Sequence, residues 1–118
     1  MAIVGLAGCR LEHPAEPPID ATWLSCSVLD LSGATITGHA ERGAVNLLGT
    51  HISGQLSCTG ATLDNDSGPA LDADGLQVGQ DMSLRGGFTA TGSGERGAVC
   101  LLGAHISGQL SCTGATLR

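Results

Sequence analysis

The stretch ERGAVNLLGTHISGQLSCTGATL at residues 41–63 returns as ERGAVCLLGAHISGQLSCTGATL at residues 95–117, a shift of 54 positions with two changes, Asn46 to Cys100 and Thr50 to Ala104. Between the copies, residues 70–87 (ALDADGLQVGQDMSLRGG) fit the same template with other side chains, so the unit is about half of that shift. A period this short belongs to stacked supersecondary units, each of which buries its apolar face only against its neighbours.

Inside the unit lies a hexad: a large apolar residue, any residue, Gly or Ser, a small residue, any residue, an apolar residue. It starts at Leu6, Trp23, Leu31, Leu47, Cys58, Leu101 and Cys112, and more loosely at Ala73 and Leu84. Long and short spacings alternate between the starts, so two hexads make one repeat of 24 to 28 residues.

Apolar residues within the unit mostly alternate with polar ones, as at Ile52, Leu56 and Cys58, the two-residue period of a strand with one buried face. No helical three-four spacing is sustained. The small and Gly positions shift the inward parity, a bend that glycine tolerates. Short strands broken by Gly corners predict an all-β fold, a single-stranded parallel β-helix of about four coils spanning residues 1–118 as one domain, with one inward row per coil. The expected inward ladders are Val45, Leu71, Val99; Leu47, Ala73, Leu101; Ile52, Val78, Ile106; Leu29, Leu56, Met82, Leu110; and Leu31, Cys58, Leu84, Cys112, with Leu63 and Leu117 closing their hexads. Each buried aliphatic member contributes roughly 1.5–3 kcal/mol. A narrow lumen also suits a chain with one Trp, one Phe and no Tyr.

From Leu6 to Leu117 the chain resembles the right-handed β-helix repeat proteins, a group that includes the pentapeptide-repeat proteins. The Leu-x-Gly-Ala-x-Ile phrase (Leu31 to Ile36) and the Gly-Gln-Leu-x-Cys-x-Gly-Ala-x-Leu phrase (Gly54 to Leu63) are similar to those of Gly-Ala-rich actinobacterial repeat proteins, some of them described as membrane-associated oxidoreductases. The resemblance implies a right-handed coil. It departs from the pentapeptide pattern in lacking a sustained five-residue period, and no dinucleotide fingerprint or cofactor motif supports an oxidoreductase or any bound cofactor.

Net charge is −6 with no lysine, which disfavours nucleic acid binding through phosphates. Cys58 and Cys112 fall two coils apart, roughly 9.6 Å at the spacing of sheet strands, too far for a disulfide. The five cysteines read as reduced thiols of a bacterial cytoplasmic protein. No apolar run is long enough for a membrane-spanning helix. Leu6-Ala7-Gly8-Cys9 matches a lipoprotein lipobox, but no basic residue precedes it and Cys9 sits at the small position of the first hexad, so the repeat reading is preferred. The Glu12 to Asp20 segment, with three prolines and three acids, reads as a loop, as do 64–69 and 89–96. Trp23 is read as either an end cap or core.

Asp64, Asp66, Asp72 and Asp74 could form a weak Ca²⁺ site, although a solvated acidic loop explains them and the EF-hand spacing is absent. His51 and His105 share an outward position two coils apart and cannot share a metal. Cys100, between inward Val99 and Leu101, is expected to face outward as a surface thiol. A column of Thr35, Thr62 and Thr116 suggests an ice-binding face, but Phe88 interrupts it. No catalytic constellation stands out. The expected function is therefore a non-catalytic structural scaffold that self-assembles through its open coil ends, as a head-to-tail filament or an end-to-end pair; membership of a longer solenoid would cover the same edges. The alternatives are an acidic protein-binding module that mimics DNA and part of an oxidoreductase.

Overall fold

The computed structural model describes residues 3–5, 8, 10–13, 19–41, 43–93 and 97–117. Among them are eighteen short strands and no helix. The first turn holds β1 (Ile3–Gly5), β2 (Arg10–His13), β3 (Ile19–Asp20) and β4 (Ser25–Cys26). The second holds β5 (Val28–Asp30), β6 (Thr35–Gly38), β7 (Val45–Asn46) and β8 (His51–Ile52). The third holds β9 (Leu56–Ser57), β10 (Thr62–Asn65), β11 (Leu71–Asp72) and β12 (Gln77–Val78). The fourth holds β13 (Met82–Ser83), β14 (Thr89–Thr91), β15 (Val99–Cys100) and β16 (His105–Ile106), followed by β17 (Leu110–Ser111) and β18 (Thr116–Leu117).

Strands four apart in the chain pair in parallel and make four ribbons: β1-β5-β9-β13-β17, β2-β6-β10-β14-β18, β3-β7-β11-β15 and β4-β8-β12-β16. The chain is thus a parallel β-solenoid of about four turns, consistent with a β-helix repeat protein. Paired residues are 25 positions apart at Ile3 and Val28 and 28 apart at Met82 and Leu110. Glu12, His13, Ile19 and Asp20, expected in a loop, lie in β2 and β3. Residues 14–18 of that segment and Cys9 of the lipobox lie outside the described residues.

The corner after the third ribbon shows why the hexad has its form. Leu47 O accepts from Thr50 N at 3.1 Å, closing a four-residue turn whose third residue, Gly49, has φ 65°. Gly75 and Gly103 repeat it at 70° and 69°. That is the signature of a type II turn, which asks for Gly at this place. In the first turn the place is taken by Trp23, at φ 61°, with Leu24 N donating to Ala21 O. A left-handed bulky residue carries strain of about 1–3 kcal/mol. Trp23 is neither end cap nor core: it is 74% exposed, and its ring lies over Gly49, where any Cβ would collide with it.

Three of the four outward-facing positions of the third ribbon are buried: Asn46, Asp72 and Cys100, while Asp20 is exposed. Asp20, Asn46, Asp72 and Cys100 are in register. Asn46 Oδ1 accepts from Leu48 N at 3.0 Å, and Asp72 and Asp20 do the same for Asp74 N and Thr22 N. These side chains fold back to cap the following turn. Cys100, expected at the surface, is 9% exposed in the same column. Here Leu102 N donates to Asp74 Oδ1 of the preceding coil, at 2.9 Å.

The lumen packs by alternation of bulk. The column of Ala21, Leu47, Ala73 and Leu101 is stacked by backbone bonds between successive coils, as is the column of Leu31, Cys58, Leu84 and Cys112. Bulk therefore alternates down each column, Ala with Leu in one and Leu with Cys in the other. In the fourth turn Phe88 holds the place that Ala61 and Ala115 hold elsewhere, and Ala90 pairs with Leu63 and Leu117. The extra glycine of Gly86-Gly87 shifts the register there, so Thr89 and not Phe88 lies in the threonine column, which runs unbroken through Thr35, Thr62, Thr89 and Thr116.

The segment between the second and third ribbons is also tighter than an exposed loop. Asn65 is buried, and its Nδ2 donates to Ala40 O at 2.7 Å and Pro69 O at 2.8 Å. Residues 94–96 of the equivalent segment one coil later lie outside the described residues.

Candidate functional site

Residues 97–117 form a coil with one strand in each ribbon, and among the described residues none pairs with its outer side. Its sheets end in β15, β16, β17 and β18, each with a partner on one side. The coil at 43–63 is nearly identical in sequence, and in it Leu56 and Leu63 are 0% exposed, whereas Leu110 and Leu117 are 43% and 51% exposed. The difference comes from coil 71–90, which lies against the first copy through Leu71↔Val45, Val78↔Ile52, Met82↔Leu56 and Ala90↔Leu63. Among the described residues no strand takes that place against the second copy.

Val45, Leu47, Ile52, Leu56, Cys58, Leu63, Leu71, Val78, Met82 and Leu84 are buried, and Val99, Leu101 and Ile106 are partly buried. Leu110, Cys112 and Leu117 face the uncovered end and are exposed, because burial in a solenoid is supplied by the next coil. At the opposite end Ile19, Ala21 and Cys26 are buried, so the two ends are not alike.

The uncovered coil also leaves backbone groups on one side of four strands without a sheet partner. Unpaired strand edges of this kind template the addition of another chain. Covering Leu110 and Leu117 alone would add roughly 2–4 kcal/mol at about 25 cal/mol per Å².

The carboxylates Asp64, Asp66, Asp72 and Asp74 are not brought together. Asp64 stands in the second ribbon between Thr37 and Thr91, and Asp66 Oδ2 meets His39 Nδ1 at 2.9 Å. Asp72 and Asp74 cap successive turns. Among the described residues no group of three or more His, Cys, Asp or Glu side chains is placed to hold a metal ion. The His39 hydrogen bond, followed by that of Ser67, holds the Asp66 carboxyl below its ordinary range.

His51, Gln77 and His105 are in register on the fourth ribbon and line a shallow groove of about 340 Å³ with Val78, Gly79 and Ser107. The imidazoles are two strands apart, about 9.6 Å, so they cannot ligate one ion. Cys26, Cys58, Cys100 and Cys112 form no disulfide. Burial pushes the Cys58 thiol up to about 12, with the Asp30 charge adding to the effect. Outward columns such as Asp30-Ser57-Ser83-Ser111 and Thr37-Asp64-Thr91 mix hydroxyls with single acids. No helix among the described residues is long and apolar enough to cross a membrane.

No family model matches the chain, and no curated protein or solved structure matches it either.

Proposed function

We propose that the protein is a non-catalytic scaffold that assembles end on, its uncovered coil at 97–117 receiving a coil from another copy. The supporting observation is the contrast between two copies of one sequence: Leu56 and Leu63 are sealed by a following coil, and Leu110 and Leu117 are not. An added coil would continue four hydrogen-bonded ribbons and a luminal column at once, so hydrophobic and backbone terms act together. Contacts between unlike ends propagate as a filament, while contact between like ends closes as a pair.

The same reading groups the chain with the pentapeptide-like, Gly-Ala-rich repeat proteins and places it in a reducing bacterial compartment. Support for the first is the recurrence of Gly corners at Gly49, Gly75 and Gly103 and at Gly33, Gly60 and Gly114, and for the second the thiols of Cys26 and Cys58, which are buried without being cross-linked.

Light scattering after size exclusion, across a wide concentration range and with electron microscopy of the same fractions, tests assembly. Concentration-dependent growth or end-to-end pairs is the expected result. A monomer that stays monomeric at the highest concentration overturns it.

A further inference from the structure

The second ribbon carries an outward array that its inward side does not explain. Thr35, Thr62 and Thr89 are in register on β6, β10 and β14, and Thr116 follows on β18. Two residues further along the first three strands stand Thr37, Asp64 and Thr91. All of them alternate with the buried Ile36, Leu63 and Ala90, so their side chains point away from the lumen. The array begins in the second turn, because Arg10 and Glu12 hold the two positions on β2.

Threonine at these places answers no need of the core. The coil at 70–90 differs from the repeat copies in most of its side chains, yet Thr89 stands where Thr62 and Thr116 do. By the count of the hexad Phe88 would fall in the column; the additional glycine at 86–87 turns Phe88 inward and returns Thr89 to it. Outward columns of the other ribbons vary instead, with Asp20, Asn46, Asp72 and Cys100 on the third and Ser25, His51, Gln77 and His105 on the fourth.

The array is two-dimensional. Successive coils set its threonines roughly 4.8 Å apart along the axis, and two residues of strand set its columns roughly 6.6 Å apart. Both distances are close to the oxygen repeats of the prism plane of hexagonal ice, along its a and c axes. Each threonine offers a methyl group beside a hydroxyl that can donate and accept; Thr89 Oγ1 donates to Gly87 O at 3.1 Å and keeps its lone pairs for water. Charge points the same way. Of positions 35, 37, 62, 64, 89 and 91 only Asp64 carries one, in a chain of net charge −6. A neutral lattice suits such a face better than a charged partner does.

We infer that the second ribbon is an ice-binding face, whose threonines order water into a patch that merges with an ice front. Adsorbed molecules pin the front, so ice grows only between them. Thr35, Thr37, Thr62, Thr89 and Thr91 lie outside the coil at 97–117, and the inference is therefore independent of end-on assembly.

The test is the gap between the melting and freezing points of a single ice crystal in a solution of the full chain, with an equal mass of an inert globular protein as blank. The expected result is a gap that widens with protein concentration. Thr62→Tyr, at an exposed position, should shrink it severalfold, whereas Ser83→Tyr, equal in bulk but on the first ribbon, should leave it unchanged. Asp64→Thr completes the second column and should widen the gap, a gain that a merely structural role would not give. Circular dichroism of each variant establishes that it is folded. A parent with no gap beyond the blank, a folded Thr62→Tyr that keeps the whole gap, or an Asp64→Thr that narrows it each overturns the proposal.

Discussion

Phe88 and Ala90 exchange bulk within one coil: the phenyl ring fills the luminal place held by Ala61 in the coil before, and Ala90 makes room where Leu63 stood. Phe88→Ala should cost about 3–5 kcal/mol through a cavity, and Ala90→Leu about 1–3 kcal/mol through overpacking. The double variant restores the Ala-Leu pairing of the other coils and should recover most of the loss. Urea denaturation of all three variants measures the coupling.

The two copies of the repeat predict unequal responses to the same change. Leu56→Asp places an unpaired charge in a sealed lumen and should unfold the domain. Leu110→Asp, at the uncovered end, should leave a cooperative melt close to that of the parent and abolish assembly. Circular dichroism and light scattering separate the two.

In the turn after Cys100, Leu102 N donates to Asp74 Oδ1 of the preceding coil. Asp74→Ala should leave Leu102 N without its acceptor and cost about 0.5–2 kcal/mol, and adding Cys100→Asn should return part of that stability by restoring the Asn46 arrangement one repeat later. Thermal denaturation of the single and double variants is the check.

Acid should act through Asp66. Its carboxyl titrates below the usual range, so its contribution is full above the unfolded value near 3.9 and fades as pH falls through the folded one. Carbon-detected titration should place Asp66 low in the parent and nearer its ordinary value in His39→Ala.

Alkali should act through Cys58. Its folded pKa lies near 12, above that of an unfolded thiol, so stability is full below about 8.5 and declines as pH rises toward 12. In the native state Ellman's reagent should label the exposed Cys112 and spare Cys58.

The inward ladders were legible because strand alternation and glycine corners are local signals, and because a near-perfect repeat fixes the register. Trp23 was misplaced since its size aligned it with the apolar start of a hexad, whereas the turn assigns it by backbone to the glycine place. Asp72 reads as part of a solvated acidic loop because a polar residue between inward aliphatics usually is; the fold-back cap that buries it depends on the turn. Thr89 escaped the threonine column because of one inserted glycine. The exposure of Leu110 and Leu117 was out of reach of any local pattern, since the same ten residues around Leu56 and Leu63 are sealed by a neighbour. The acidic residues looked like one ligand set along the chain, yet the coil sends them to different faces.

The alternation of Ala21, Leu47, Ala73, Leu101 against Leu31, Cys58, Leu84, Cys112 gives the solenoid a parity. Excising one coil would seat Leu47 against Leu101 and Cys58 against Cys112, bulk on bulk and gap on gap, whereas excising two would leave every seam matched. A gene of this kind is expected to grow and shrink by pairs of coils, and the 54-residue duplication is the smallest step that keeps the lumen sound.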